Sequence, residues 1–421
     1  MVKEGRLMLK KQKLLVALVF GIAAVSLIIA SPVGAKDSGN TIVFGSAVSF
    51  TGKYSTNGKH TKNGYDLAVK RINEMGGVKV GNKTYKLKIK YYDDESTPAR
   101  AGQLADRLIK QDGIKFILGP YGSGPTKGMA PITEKYGIPM VEGNGASRAL
   151  FNKGYRYLFA VLSTSEKYLA ESIHLLAEQF KKEGKDPASA KVALAVENDP
   201  FSQDIRAGVI EDAKKWGMKV IIDDKLPKEL TDMTATLTKV KALKPDLLIV
   251  SGHSKGAALA IRQTSQMKVD VPMLALTHCE AADIVGKFGG DANYALCATQ
   301  WAETMTYKDK WFGFAGDYAK AFKEAYGYMP PYQAAESSAS VLVFVDAIER
   351  AGSLDPKKVR DALAATNMET FYGHVHFDDT GKNIAKPMVL RQVQKGKYVP
   401  VAPSKFAAGQ LIYPRPKWSE R

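Results

Sequence analysis

Two stretches of the chain, IKFILGPYGSGPTKG at 114–128 and GIPMVEGNGAS at 137–147, each end an apolar run in a loop of Gly, Ser and Asn that feeds a helical pattern. A helix start presents unpaired backbone N–H groups and the positive end of the peptide dipole, so it favours an anion. Gly122 lets the backbone come close to a ligand, and the hydroxyls of Ser123 and Ser147 add donors, with Tyr121, Asn144 and Ala146 in the same loops. Two such corners side by side make a carboxylate cradle. The same residues would also serve as ordinary strand-to-helix turns with capped helices.

A different chemistry is written in SGHSKGAALA, where Gly252-His253-Ser254-Lys255-Gly256 fits G-x-S-x-G between a strand and a helix. That is the setting of a hydrolase nucleophile, with Asp283 or Asp346 as acid and His374 or His376 as base, in the required chain order. Against it, the acids fall in or at the start of helical segments and HVHF reads as a strand; Ser254 would then simply cap a helix. The six histidines, at 60, 174, 253, 278, 374 and 376, show no metal-ligand spacing, so neither metal nor cofactor is expected. Acids closing the strand in YYDDE read as a solvated strand end. The polar loop SFTGKYSTNG, which contains Asn57, has the composition to reach a ligand or merely to connect. Tyr121, Phe201, Trp301, Tyr307 and Tyr332 stand at loops or segment ends, where rings either wall a cleft or pack lobes together.

The elements that must position these residues alternate along the chain. Strand-like Thr41–Val48, Leu87–Asp93, Ile114–Leu118 and Ile138–Val141 interleave with helical Asn63–Met75, Pro98–Gln111 and Pro125–Tyr136. After a break near Tyr157–Thr164 a second series runs from helix Glu166–Glu183 to strand Val271–Leu276. The pattern predicts two doubly wound α/β lobes built on parallel sheets with right-handed crossovers. Three helices within Trp311–Thr366 are expected to return to the first lobe, and the β-rich tail VHFDD, MVLRQVQ, KYVPVAP to complete the second. The expected division is 1–35 leader, 40–160 and 299–370 first lobe, 161–298 and 371–421 second lobe.

The leader begins with a basic run, continues through an apolar stretch from Leu14 to Ala30 and ends in Val33-Gly34-Ala35, the anatomy of a cleavable secretory signal. Export to a periplasm follows, with an uncleaved anchor as the competing reading and Met8 as an alternative start. No later apolar segment has spanning length. Removing Lys3, Arg6, Lys10, Lys11 and Lys13 with Glu4 lowers the formal charge of +17 but leaves it strongly positive. The remaining lysines are scattered among acids with no aromatic-interleaved basic stripe, which argues against nucleic acid. Cys279 and Cys297 rule out a CxxC motif; a disulfide and two buried thiols both stay open.

From about Asn40 onward the chain resembles periplasmic substrate-binding proteins of the branched-chain amino-acid transporter type. The resemblance is carried by IVFGSAVSFTGKYSTNGKHTKNGYDLAVKRINEMGGV, LKIKYYDDESTP, GIKFILGPYGSGPT, EKYGIPMVEGNGAS, VENDPFSQD and FDDTGK, in that order. It implies a type I two-lobe fold, hinged by three crossings, that closes on a solute for the membrane permease of an ABC importer. It further implies that the loops Tyr121-Gly122-Ser123 and Asn144-Gly145-Ala146-Ser147 hold a ligand carboxylate, while Phe201, His253 and Thr277 face the rest of the solute. Amino-acid binders of this type usually carry Tyr where Phe201 stands and an acid where Thr277 stands. Glu280, Glu303 or Asp199 would have to replace that acid; without a replacement the solute is better amine-free, an aromatic or aliphatic carboxylate against Phe201, Trp301 and Tyr121. The expectation is a non-enzymatic, monomeric receptor for a small carboxylate-bearing solute, either an amino acid, the class the resemblance favours, or an aromatic or aliphatic carboxylic acid. A secreted serine hydrolase using Ser254 and a ligand sensor for a membrane receptor are the alternatives.

Overall fold

The computed structural model describes residues 40–421; the leader expected at 1–35 lies outside them. Two sheets organise the described chain. The first has six strands in the order Val78–Val80, Lys83–Asp93, Thr41–Val48, Ile117–Leu118, Met140–Glu142, Leu158–Ala160. The second has seven, in the order Lys397–Ala402, Val389–Gln394, Leu296–Thr299, Met273–Leu276, Leu247–Ser251, Lys191–Glu197, Lys219–Leu226. Pairings between the central strands are parallel, whereas the edges Val78–Val80, Val389–Gln394 and Lys397–Ala402 add antiparallel. Strands such as LLIVS and MLAL are buried along their whole length because helices cover both sheet faces.

The helices at Ala315–Tyr326, Tyr332–Ala351 and Pro356–Ala364 return to the first sheet, where Tyr332–Ala351 lies along Ser55–Glu74. That approach depends on Gly64: a Cβ there would stand 2.2 Å from the Ala334 carbonyl oxygen. The chain then forms a small antiparallel ladder, Asn367–Thr370 with Gly373–His376, whose Phe371 stacks on Tyr318 of the first half. The lobe boundary expected at 371 therefore falls inside this ladder. Past it, Lys382 still bridges to Ala160 of the first sheet before the chain reaches Val389.

Three chain segments cross side by side between the sheets. Ser163 N–H donates to Gln300 Oε1 and accepts back from Gln300 Nε2 through its carbonyl, 3.2 and 2.9 Å; Ser163 Oγ donates to the Lys386 carbonyl, and Asn383 Nδ2 to the Val161 carbonyl at 2.7 Å. These ties make the three-crossing hinge of a type I binding fold.

Several local expectations shift. The helix expected from Asn63 begins at Ser55, so Asn57 sits in its first turns and not in a loop. The antiparallel edge strand Val78–Val80 was not expected; its three residues are too short to show alternation. Cys279 and Cys297 are joined by a disulfide. Trp301 packs edge-on to Tyr318 and Phe371, with its indole N–H on the Phe371 carbonyl, and so belongs to the core beside the hinge and not to the cleft expected of it.

Candidate interlobe binding site

The facing edges of the two sheets carry the residues with binding chemistry. In the first half, the strand ending at Leu118 turns through Gly122, φ +88°, into helix Ser123–Tyr136. A positive φ of that size is inexpensive only for glycine, and it aims the first turn of the helix at the cleft. Tyr121, just before it, is 2 % exposed and reaches across to the second half. Its hydroxyl lies 2.9 Å from His253 Nδ1 and 2.8 Å from His278 Nε2. One hydroxyl proton cannot serve both, so Tyr121 donates to one ring and accepts from the other.

Both histidines sit in left-handed backbone conformations, φ +53° for His253 and +60° for His278. Strained non-glycine residues of this kind are held only where the surroundings over-determine them. Phe201 contacts both imidazoles, Tyr54 packs edge-on to Tyr121 and His253, and Tyr168 and Tyr332 extend the wall beyond Phe201 and His278. Burial drives the His278 pKa well below its ordinary value, with His253 adding to the effect, so His278 is neutral. Tyr54 and Asp199 line a groove of about 520 Å³ that adjoins a second of about 870 Å³, the two sharing Pro98, Gly124, Pro200 and Lys228.

The second corner differs from the expected cradle. Its amides at Asn144 and Gly145 donate to the corner's own buried Glu142 Oε2, and Ser147 N–H donates to Ser123 Oγ at 3.0 Å. Three of the N–H groups that the sequence offers to a solute carboxylate are thus taken by the protein. Gly145 is obligatory here, since a Cβ would stand 2.4 Å from Thr126 Oγ1. Ser123 Oγ, accepting from Ser147, keeps its proton to give. Asn144 Nδ2 donates to Ser337 Oγ, which leaves Asn144 Oδ1 unpartnered; Ala146 is buried and uses its carbonyl to fix Ser165. Thr277 Oγ1, His278 Nδ1 and both amide atoms of Gln333 are also buried without partners.

The remaining acids of interest are placed as follows. Glu280 and Glu303 both lie against Arg391, whose guanidinium competes with a solute ammonium for their charge. Asp199 caps helix Pro200–Lys215 by accepting from Phe201 and Ser202 N–H, at 2.9 and 3.2 Å. Burial raises its pKa, but His253 and those N–H groups outweigh the burial and hold it below its ordinary value, so it is ionised. Lys53 crosses from the first half to Glu197, 2.7 Å, and Asn57 Oδ1 accepts from Ser254 Oγ at 2.8 Å.

The hydrolase arrangement does not assemble. Ser254 bonds to Asn57 and not to an imidazole, Asp346 pairs with Arg350, Asp283 caps a short helix through Gly286 N–H, and His374 bonds to Asn367. The backbone strain of the Gly-His-Ser-Lys-Gly turn falls on His253, not on the serine. Of the residues expected at the site, Tyr121, Gly122, Ser123, Asn144, Ser147, Asn57, Phe201, His253 and Thr277 converge on the facing edges. Tyr54, Tyr168, Gln333 and His278 were not anticipated. His278 lies two residues past the strand Met273–Leu276, and that position was its only sequence signal.

Two sheets facing across a three-stranded crossing, with ring and hydroxyl groups on both edges, define a two-lobed solute-binding protein. The family model for periplasmic binding proteins matches residues 41–397, and the chain belongs to that family. It is 25% identical over 343 residues to the leucine-, isoleucine-, valine-, threonine- and alanine-binding protein of Pseudomonas aeruginosa, covering 81% of this chain and 87% of the relative. Among solved structures it is similar to the branched-chain amino acid transporter substrate-binding protein of Streptococcus pneumoniae in complex with isoleucine. There the TM-score is 0.75 and the identity 22%, covering 86% of this chain and 100% of that one. A solute-binding protein of an ABC transporter from Rhodopseudomonas palustris BisB5, in complex with 3,4-dihydroxybenzoic acid, superposes with TM-score 0.74 at 19% identity, covering 86% and 96%. Among the described residues no helix is long and apolar enough to cross a membrane.

Proposed function

We propose that the protein is the extracytoplasmic solute-binding component of an ABC importer and that its solute is a small aromatic carboxylate without an α-amino group. The observation that carries the reading is the wall of Tyr54, Tyr121, Tyr168, Phe201, Tyr332, His253 and His278, set against a single hydroxyl–amide corner. A planar ring stacks among such side chains. Its carboxylate meets the Ser123 hydroxyl, the N–H groups at the start of helix Ser123–Tyr136 and an N–H of neutral His278. Of the three acids considered for an ammonium, Glu280 and Glu303 lie against Arg391, and Asp199 caps helix Pro200–Lys215 and faces His253. The solute takes the place of the Tyr121–histidine bridge, so binding and lobe closure are one equilibrium. The protein is exported by its leader, acts as a monomer, performs no chemistry on the solute and hands it to a membrane permease.

Similarity to the relative named for leucine, isoleucine, valine, threonine and alanine keeps amino acids as the competing solute class. A thermal-shift screen over benzoate, hydroxybenzoates, short aliphatic acids and amino acids separates the two, because a ligand that binds only the native state raises the midpoint. A shift with benzoates and none with leucine is expected; a shift with leucine alone would overturn the aromatic assignment.

A further inference from the structure

We propose that Glu197, Asp199 and His253 form a divalent-cation site of the zinc class at the cleft edge of the second lobe, with the Lys53 ammonium of the opposite lobe as its built-in competitor. Among the described residues these three are the one group whose carboxylate and imidazole atoms all lie within 4.8 Å of one another, and all three are buried. Asp199 Oδ2 and His253 Nε2 have no hydrogen-bond partner, and Nε2 stands 3.5 Å from Asp199 Oδ1, beyond a useful hydrogen bond.

The imidazole is already oriented as a ligand. Nδ1 is held by the Tyr121 hydroxyl, and the left-handed backbone at the start of helix His253–Gln266 turns Nε2 toward the carboxylates. A hydrogen bond on the far nitrogen is how metal-binding histidines are usually fixed. In the tautomer that donates Nδ1–H to Tyr121, a divalent cation takes the place of the Nε2 proton that faces Asp199, so that Nε2 and the two carboxylates close on one centre. One imidazole with two carboxylates suits Zn²⁺, with the fourth position left toward the cleft. Bonds of that class place ligand atoms about 3.4 Å apart, so the three side chains need contract only modestly.

Lys53 Nζ lies 2.7 Å from Glu197 Oε1, where it supplies positive charge from the first lobe. An ion and the ammonium therefore compete for Glu197. The three ligand residues all belong to the second lobe, so cation binding is measured with no solute present.

The test is calorimetric titration of the chelator-treated protein with ZnCl₂ alone. One ion per chain is expected. Asp199→Asn, which preserves the helix cap, and His253→Ala should each weaken binding by about tenfold or more. Lys53→Ala should tighten it several-fold, since the competitor is gone, while His174→Ala, at an exposed position beside Trp216, changes nothing. Zinc binding unaltered in Asp199→Asn, a Lys53→Ala protein that binds no tighter, or Mg²⁺ bound more tightly than Zn²⁺ would each overturn the assignment. Benzoate titrated against the same variants keeps a failed solute reading distinguishable from a failed cation site.

Discussion

Ser123 joins the two corners of the first lobe: its oxygen accepts from Ser147 N–H, which leaves its own proton to donate. Ser123→Ala should therefore do two things. It leaves a buried N–H without a partner, costing about 1–2 kcal/mol in chemical denaturation, and it weakens solute affinity by about tenfold in calorimetry. A variant with unchanged affinity would remove Ser123 from the site. Glu142 makes a pH-dependent claim at the same scale. Burial pushes its pKa from 4.5 up to about 7, although the Gly145 and Asn144 N–H groups pull the other way. Between those values the unfolded chain has given up a proton that the native state keeps, so this group's contribution to stability falls as pH rises from about 4.5 to 7. Glu142→Gln keeps an acceptor for both amides and should be more stable than the parent by about 1–3 kcal/mol near pH 7.5, with little difference near pH 4.5. Equal differences at both pH values would contradict this account.

At the scale of elements, the helix pair Ser55–Glu74 and Tyr332–Ala351 depends on backbone approach at Gly64. Gly64→Ala must push the helices apart and should cost about 2 kcal/mol or more, read from the denaturation midpoint; a neutral result would mean that the pair adjusts freely. Much of this framework was legible in the chain. Long apolar runs flanked by Gly, Pro and Asn located the central strands of both sheets and most helices to within a few residues. What escaped was decided by neighbours. Glu142 lies at the end of an unremarkable apolar strand, and nothing local shows that its carboxylate turns back to occupy Asn144 and Gly145. Trp301 stands at a segment end in sequence, yet Tyr318 and Phe371, distant along the chain, draw it into the core. The short strand Val78–Val80 forms only because Lys83–Asp93 offers it an edge.

For the whole molecule the governing fact is that the two lobes touch through specific polar contacts on either side of the ring cluster. Arg148 reaches Asp204 and Glu211, both at 2.7 Å, Lys53 reaches Glu197, and Ser254 reaches Asn57. Such contacts favour the closed arrangement over an open one and can shift the equilibrium only by their differential strength. Arg148→Ala should enlarge the solute-free radius of gyration in small-angle scattering and lower solute affinity while the fold stays intact. An unchanged radius with unchanged affinity would show that this contact does not hold the lobes. The two-lobe plan and the hydroxyl corner were readable from the sequence because both reside in local turn chemistry. The second lobe's share of the site was read less completely: His278 was missed, although Phe201, His253 and Thr277 were placed. Its geometry depends on how far the hinge closes and on which groups Arg391 removes from service. The central claim, an aromatic carboxylate held between Ser123 and the tyrosine–histidine wall, is tested most directly by calorimetric titration of the protein with benzoate and with leucine at neutral pH. The account predicts saturable one-site binding of benzoate that is lost in Tyr121→Ala, and no binding of leucine. Tight leucine binding with none for benzoate would contradict it.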